Sequence, residues 1–362
     1  MDKARQHLKI AILHITPSNF VGGYEKFASR LAEDLSRVGI IVDQVTTAST
    51  LSRAAYVLTR LGMQRQPPIY GQTEAPLFEA RARLRNADCI YVKNDPIDLL
   101  VAFALARNHP LVVGMHSSLD IPRVDWSTGV RRWARHSWIY RRLLIGSRRL
   151  YHCLYPPPAS WKLPSSQVRV IPNPVEPKQR TDRRSSKQQR FLFVGRLNRD
   201  KGADLLPGLA ERLLTEPNTE LIVVGDGELG GALREHPGLR YYPYRSDVRN
   251  LMQEATWLVL PSRWEQQPLV LLEALEEGLP YILGPAPEIR QLGIDETLVM
   301  PVDTVEAFQA CCLEAIRRGR SETEYADVIR RVGEFADAWP RPGQTLAAMA
   351  LMLREAAKFA QP

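Results

Sequence analysis

Short apolar, β-branched runs alternate with amphipathic stretches along the whole chain. This is the pattern of βαβ units, in which helices packed on both faces of a sheet join parallel strands. In the first half, the runs at 9–15, 40–45, 89–92, 111–115, 150–155 and 168–171 predict strands, with helices between them. The stretch 173–190 breaks the alternation. It starts within Pro-Asn-Pro-Val-Glu-Pro and continues with charged, Ser and Gln residues of no period, so it reads as a linker. From Phe191 the pattern restarts: Phe-Leu-Phe-Val-Gly, Leu-Ile-Val-Val-Gly, Trp-Leu-Val-Leu-Pro and Tyr-Ile-Leu-Gly predict strands, and 203–214 predicts an amphipathic helix. Pro340 and Pro342 interrupt the tail, and 345–359 predicts a last amphipathic helix that returns to the first domain. The expected architecture is α/β with two Rossmann-like doubly wound domains, 1–172 with a terminal helix at about 343–362, and 191–342.

Composition adds limits. At 362 residues the chain suits two domains, each able to bury its own core. It is 44% hydrophobic and 24% charged, and no apolar run approaches the roughly 20 residues of a membrane-spanning helix. The start, Met-Asp-Lys-Ala-Arg-Gln-His, precedes only a short apolar stretch without a small-residue cleavage site, so no secretory signal is expected. Cys89, Cys153, Cys311 and Cys312 lack metal-ligand spacing and suggest neither zinc nor a disulfide framework, which fits a reducing cytoplasm.

Charge is uneven. Residues 1–170 carry 24 Lys and Arg against 12 Asp and Glu, while the remainder carries 24 against 28, so an anionic partner is expected for the first half. Seven of these arginines lie in Val-Arg-Arg-Trp-Ala-Arg-His-Ser-Trp-Ile-Tyr-Arg-Arg-Leu-Leu-Ile-Gly-Ser-Arg-Arg, 130–149, which has no acidic residue. As a basic helix with interleaved aromatics, this segment has two readings. It can lie on an anionic membrane surface, at the inner face, or hold an anionic acceptor; alternatively it packs an apolar stripe on the sheet with its arginines in water. Nothing else supports a nucleic-acid partner, and none is expected.

The most informative chemistry lies in Pro261-Ser-Arg-Trp-Glu-Gln-Gln-Pro-Leu-Val-Leu-Leu-Glu-Ala-Leu-Glu-Glu-Gly278, where Glu265 and Glu273 stand eight positions apart across a predicted loop-to-helix junction. On a continuous helix that spacing puts both carboxylates near one side, separated by at most about 12 Å along the axis. Such a separation suits two ends of a long ligand better than one reacting bond. Glu273 also interrupts an apolar run, where a carboxylate needs a partner. Arg196 follows a predicted strand and Lys201 opens a predicted helix, while Gly195 and Gly202 permit close backbone approach. Two cations and a helix N-terminus converging at strand ends read as a pyrophosphate site.

These segments resemble the Glu-x7-Glu signature of family 4 glycosyltransferases, retaining enzymes of the GT-B fold. Phe193-Val-Gly-Arg-Leu197 with Lys201-Gly202, Val223-Val-Gly-Asp-Gly-Glu228 and Val170-Ile-Pro-Asn173 fall in the family's order. The resemblance implies two facing domains with an active site in the cleft, and transfer of a hexose from a UDP- or GDP-sugar to a hydroxyl. The acceptor would be a glycan, a lipid-linked sugar or a small molecule, as in bacterial cell-surface polysaccharide synthesis, with no metal or other cofactor. It implies that Glu265 bonds the donor sugar and Glu273 the ribose. Arg196 and Lys201 would meet the phosphates, and Gly195, Gly225 and the backbone at Gln267, Pro268 and Leu269 would approach the donor. Gly22 and Gly23 correspond to a glycine-rich loop near the donor's scissile phosphate and the acceptor, and His116 to a histidine facing the sugar; Asp120 is a weaker candidate. Gln266-Gln267-Pro268 departs from the family, where a glycine usually follows the first glutamate, as does Gly284-Pro-Ala-Pro-Glu288, where many relatives have a second glycine-rich turn. Two alternatives remain open: a sugar-nucleotide-binding scaffold without transfer, and another GT-B enzyme such as an epimerase or hydrolase.

Overall fold

The computed structural model describes residues 8–14, 23–46, 75–116, 138–176, 182–286 and 304–359. The chain divides into two compact units, Met1–Pro172 with Gly343–Pro362, and Asn173–Pro342.

Among the described residues the first unit holds six strands, β1 (Lys9–His14), β2 (Ile41–Thr46), β3 (Cys89–Lys93), β4 (Leu111–Gly114), β5 (Arg149–Cys153) and β6 (Val168–Val170). They form one parallel sheet in the order β2-β1-β3-β4-β5-β6. Helices α1 (Gly23–Arg37), α2 (Leu77–Arg85), α3 (Pro96–Leu105) and α4 (Trp138–Leu144) connect them. A parallel sheet covered on both faces explains why its central strands β1, β3 and β4 read as near-continuous apolar runs. Ala80, Leu84, Leu99, Ala102, Tyr140 and Leu144 of α2, α3 and α4 cover one face, together with inward residues of the sheet.

Among its described residues the second unit has five parallel strands, β7 (Gln189–Val194), β8 (Thr219–Val224), β9 (Arg240–Tyr242), β10 (Trp257–Leu260) and β11 (Tyr281–Leu283), in the order β11-β10-β7-β8-β9. Its helices are α5 (Leu206–Leu214), α6 (Gly230–Arg234), α7 (Val248–Glu254), α8 (Leu269–Glu276), α9 (Val305–Arg320) and α10 (Glu322–Ala338). The order reverses between β7 and β10 here, and between β1 and β3 in the first unit. Such a switch point parts the loops at the carboxyl ends of the strands and opens a crevice for ligand.

The last helix, α11 (Pro342–Lys358), belongs to the first unit. Its Met349, Leu353 and Ala356 join Ala28, Leu31 and Leu35 of α1 in one buried cluster on the second face of that sheet. Arg169 of β6 donates to Glu355 at 3.0 Å, and Thr345 Oγ1 donates to the Pro172 carbonyl. The apolar stripe predicted for the tail thus has its partner.

Three expectations need correction. The stretch 173–190 is not a free linker in its described parts, 173–176 and 182–190. Val175 is buried, and Arg183 donates to the carbonyls of Met252, Ala255 and Glu277 at 2.7, 2.6 and 3.2 Å. A guanidinium satisfies the orphan carbonyls at helix ends, so a polar, aperiodic segment packs without an apolar pattern. The helix expected over 203–214 begins at Leu206, because left-handed Gly202 separates two 3₁₀ turns, Arg199–Lys201 and Ala203–Leu205, ahead of it. The basic helix expected over 130–149 is, among the described residues, only α4, and Arg149 already lies in β5. Tyr140 and Leu144, one turn apart, are buried, Tyr140 Oη donates to the Asn94 carbonyl at 2.9 Å, and Arg142 and Arg148 are exposed. That matches an apolar stripe on the sheet with arginines in water; residues 117–137 lie outside the described residues. Among those described, no helix is long and apolar enough to cross a membrane.

Candidate active site

The loops after β7 and β10 flank the switch point of the second unit, and each delivers one charged group. Lys201 ends a 3₁₀ turn capped by Asn198, whose side-chain oxygen accepts from the Lys201 amide at 3.1 Å. Its Nζ donates to Glu265 Oε1 at 2.6 Å, and Ser262 Oγ donates to the same oxygen at 2.9 Å. The Glu265 side chain is 8% exposed, so its charge is held by these two donors. Arg263 straps the loops together: its guanidinium takes Asp204 in a two-pronged grip at 2.6 and 3.1 Å, and its amide donates to the Asp200 carbonyl at 2.9 Å. A cation and a carboxylate are thereby held beside each other at the carboxyl ends of adjacent strands.

Two glycines let these loops meet. Gly225, after β8, has φ +143°, and a Cβ there would stand 1.9 Å from the Gly195 carbonyl oxygen. Gly202 has φ +70°, and a Cβ would stand 2.1 Å from the Pro261 carbonyl oxygen. Any other residue would clash with backbone as well as adopt a disfavoured φ.

The remaining expected donor-side residues are placed as follows. Gly195 continues the β7–β8 ladder, its amide donating to Val224 O at 3.0 Å, and Arg196 beside it is exposed. Helix α8 begins at Leu269, with Pro268 at its N-cap. Glu265 thus lies in the loop and Glu273 in α8, across the loop-to-helix junction that the sequence predicts, and the helical spacing does not apply to the whole span. Proline at 268 ends the preceding loop because its ring suits the start of a helix and not its interior. Glu273 is half-buried on α8, whose Leu271, Leu272, Ala274 and Leu275 are buried. Gln267 is buried and turns toward the start of the unit, its Oε1 accepting from the Asn173 amide at 2.6 Å. The Asn173 carbonyl in turn accepts from Trp339 Nε1 at 2.8 Å, which ties the loop to both ends of the unit. Ser262, Asp204 and Asn198 had not been singled out. The Ser-Arg pair inside the motif carried their only sequence signal.

In the first unit, Gly22 lies outside the described residues, and Gly23, expected in a loop, is the first residue of α1. Asp120 also lies outside. His116 follows β4 and is joined to two unforeseen residues. Its Nε2 lies 2.8 Å from Tyr91 Oη of β3, which lies 2.7 Å from Nδ1 of His152 on β5; His152 Nε2 lies 2.8 Å from the Ile171 carbonyl oxygen. A polar ring within each of two buried strands was the signal that could have found them, because a buried polar group implies a partner.

Burial pushes the His152 imidazole down to about 4, against the opposing pull of its bond to the Ile171 carbonyl. Burial, then His152 and Lys93, hold His116 well below the ordinary imidazole range. An unfolded histidine protonates near pH 6.5, the folded one only near 4, so this stability is complete above 6.5 and is lost as pH falls toward 4. His152 alone predicts a loss of about 2 kcal/mol between roughly pH 6.5 and 5. Denaturant midpoints at both pH values check it, and His152→Gln should flatten the dependence.

The two parallel-sheet units together have the GT-B fold of glycosyltransferases. Residues 188–318, which include Arg196, Lys201, Glu265 and Glu273, match the family model described as glycosyl transferases group 1. The chain is 31% identical over 191 residues to the lipopolysaccharide 1,6-galactosyltransferase of Escherichia coli K12, covering 47% of this chain and 52% of that protein. It is 32% identical over 105 residues to the UDP-Gal:alpha-D-GlcNAc-diphosphoundecaprenol alpha-1,3-galactosyltransferase of Escherichia coli, covering 26% and 27%. The chain thus spans about a quarter to a half of the length of these curated relatives. Among solved structures, Anabaena HepE in complex with UDP-glucose superimposes with a TM-score of 0.71 at 18% identity, covering 96% of this chain and 100% of that one.

Proposed function

We propose that the chain is a glycosyltransferase that moves a hexose from a nucleoside diphosphate sugar to a hydroxyl, with retention of anomeric configuration. The observation that carries this is Lys201 and Glu265 held 2.6 Å apart at the switch point, within the segment that matches the family. Glu265 accepts hydrogen bonds from hydroxyls of the donor sugar, and Glu273 from the ribose. Lys201 and Arg196 meet the diphosphate. As the glycosidic bond breaks, the leaving diphosphate gains negative charge, so cations fixed beforehand stabilise the transition state more than the ground state. This dispenses with a metal ion. A UDP-sugar is the first donor to test, since HepE was solved with UDP-glucose and one curated relative is named for UDP-Gal. A lipid-linked or lipopolysaccharide-type acceptor is proposed on the names of the relatives, and the cationic first half suits its anionic groups. The same excess of arginine suits peripheral contact with an anionic membrane.

The test is a thermal-shift panel of UDP, GDP and their sugars, followed by nucleotide release with and without acceptor. A cognate donor at about 100 times its Kd should stabilise the fold by about 2.7 kcal/mol. Release that depends on acceptor supports transfer. Binding without turnover makes the chain a scaffold, and release or isomerisation without acceptor makes it a hydrolase or epimerase; either result overturns the proposal.

A further inference from the structure

Helix α3 lies on the surface of the first unit yet presents no charge to water. Leu99, Val101 and Ala102 are buried against the sheet, while Leu100, Phe103 and Ala104 are exposed. Its one acidic residue, Asp98, is buried and pairs with Lys93 at 3.3 Å. A helix apolar all round is ordinarily enclosed, so α3 leaves an apolar face uncovered. Helices α2 and α4 pack beside it and extend that face. Leu77 and Phe78 of α2 are exposed, Phe78 to 77%, and so is Ile145 after α4.

Charge gathers at one end of this layer. Arg85, Arg107 and Arg148 stand at or just beyond the ends of α2, α3 and α4, each shortly before β3, β4 or β5. Because those strands are parallel neighbours, all three arginines lie at the amino edge of the sheet, away from the crevice at the carboxyl ends. Each is exposed, and among the described residues none pairs with a carboxylate. Helix ends expose carbonyls here; Arg149 meets that of Leu143, and Arg148 Nη1 donates to that of Asn108 at 3.2 Å. That takes one of the five N–H groups of the Arg148 guanidinium. Arg107 lies over the Phe103 ring, 6.0 Å from its centroid, so cation and apolar surface meet. Beside them opens a cavity of about 400 Å³ lined by Phe103, Ala106, His109, Leu111, Gly146 and Arg148. Its walls are apolar and cationic, with no acidic side chain among the described residues.

We propose that this face of the first unit docks on an anionic phospholipid surface. Phe78, Leu100 and Phe103 enter the acyl boundary, and a lipid phosphate sits at the mouth of the cavity on Arg107 and Arg148. Apolar burial and the attraction of arginines to anionic lipid add in such binding. A second copy of the chain is a poor occupant, because a two-fold contact would set the same arginines against one another. The docking face rests on the membrane contact read above from charge and does not depend on sugar transfer.

Sedimentation of the full chain with vesicles tests it. Binding to an equal mixture of phosphatidylglycerol and phosphatidylcholine at low salt should exceed binding to phosphatidylcholine alone by about tenfold or more. Phe103→Gln with Arg107→Gln should weaken binding to the mixture by about tenfold or more, and Arg148→Gln alone by about fivefold. Leu351→Gln with Arg354→Gln removes the same two kinds of group from the exposed side of α11, on the second face of the sheet, and should change binding by less than about twofold. Every substituted side chain is exposed, so thermal midpoints should stay near that of wild type and separate lost docking from lost fold. Wild-type protein that ignores both kinds of vesicle overturns the proposal and the membrane reading with it. Equal losses in the two double variants, or no loss in Phe103→Gln with Arg107→Gln, would leave membrane contact standing and overturn this face as its site. Release from the vesicles by millimolar inorganic phosphate at matched ionic strength would show that the arginines hold a soluble anion and not a lipid, and overturns it as well.

Discussion

Lys201→Ala is expected to lower kcat/KM for sugar transfer by about 10²–10³, the usual effect of removing one preorganised donor aimed at developing negative charge. Lys201→Arg should recover only part of it, since a planar fork does not reproduce a point charge on a flexible stem. The same variant should weaken the fold. Glu265 is 8% exposed, and without Nζ at 2.6 Å its carboxylate keeps only the Ser262 hydroxyl, at 2.9 Å. An undersatisfied buried acceptor destabilises by about 1–3 kcal/mol. Adding Glu265→Gln to Lys201→Ala removes the stranded charge, so stability should return and activity should not. Steady-state rates and denaturant midpoints for the four proteins of the cycle separate the two roles. Activity of Lys201→Ala within twofold of wild type would sink the assignment.

Gly225→Ala is expected to destabilise the second unit by about 3–5 kcal/mol, combining a methyl forced onto a carbonyl oxygen with a φ that L-residues avoid. The clash is with backbone, Gly195 O at 1.9 Å, so no side-chain rotation relieves it. Because Gly225 packs on Gly195, which directly precedes Arg196, a residue proposed to meet the diphosphate, donor binding should fail in whatever protein remains folded. Gly231→Ala is the matched control. It lies in α6, exposed, with nothing within 4 Å of an added Cβ. It should be neutral or stabilising by up to about 1 kcal/mol, because alanine favours the helix more than glycine. Comparable losses in both variants would show that the packed turn is not what makes Gly225 necessary.

Strands whose faces are both covered were the easiest elements to read. Phe191 to Phe193 and Leu221 to Val224 are buried throughout, so their apolar runs mark β7 and β8 directly. Arg240–Tyr242, the edge strand β9, was missed: it is three residues long, partly exposed, and carries no alternation to detect. Helices α9 and α10 also went unpredicted, although Ser and Thr caps open both. The candidate site was legible as a set of residue types at spacings, and the structure pairs two of them, Lys201 and Glu265. The internal bonding of the site was not legible. Arg263 with Asp204 joins positions 59 apart, and Gln267 with Asn173 joins positions 94 apart, and neither pairing leaves a periodic trace.

By itself the amino-acid order determined the α/β alternation, the two sheets and the helix-breaking prolines before the last helix, because each depends on side-chain polarity and backbone preference within a few residues. It also supplied the chemistry, a cation and a carboxylate at predicted strand ends. The tertiary structure alone decided where the second unit begins and that Gln267 reaches back to Asn173. It alone brought Tyr91 and His152 to His116. The physical reason is common to all of these: they are satisfied hydrogen bonds between atoms that only folding brings within about 3 Å.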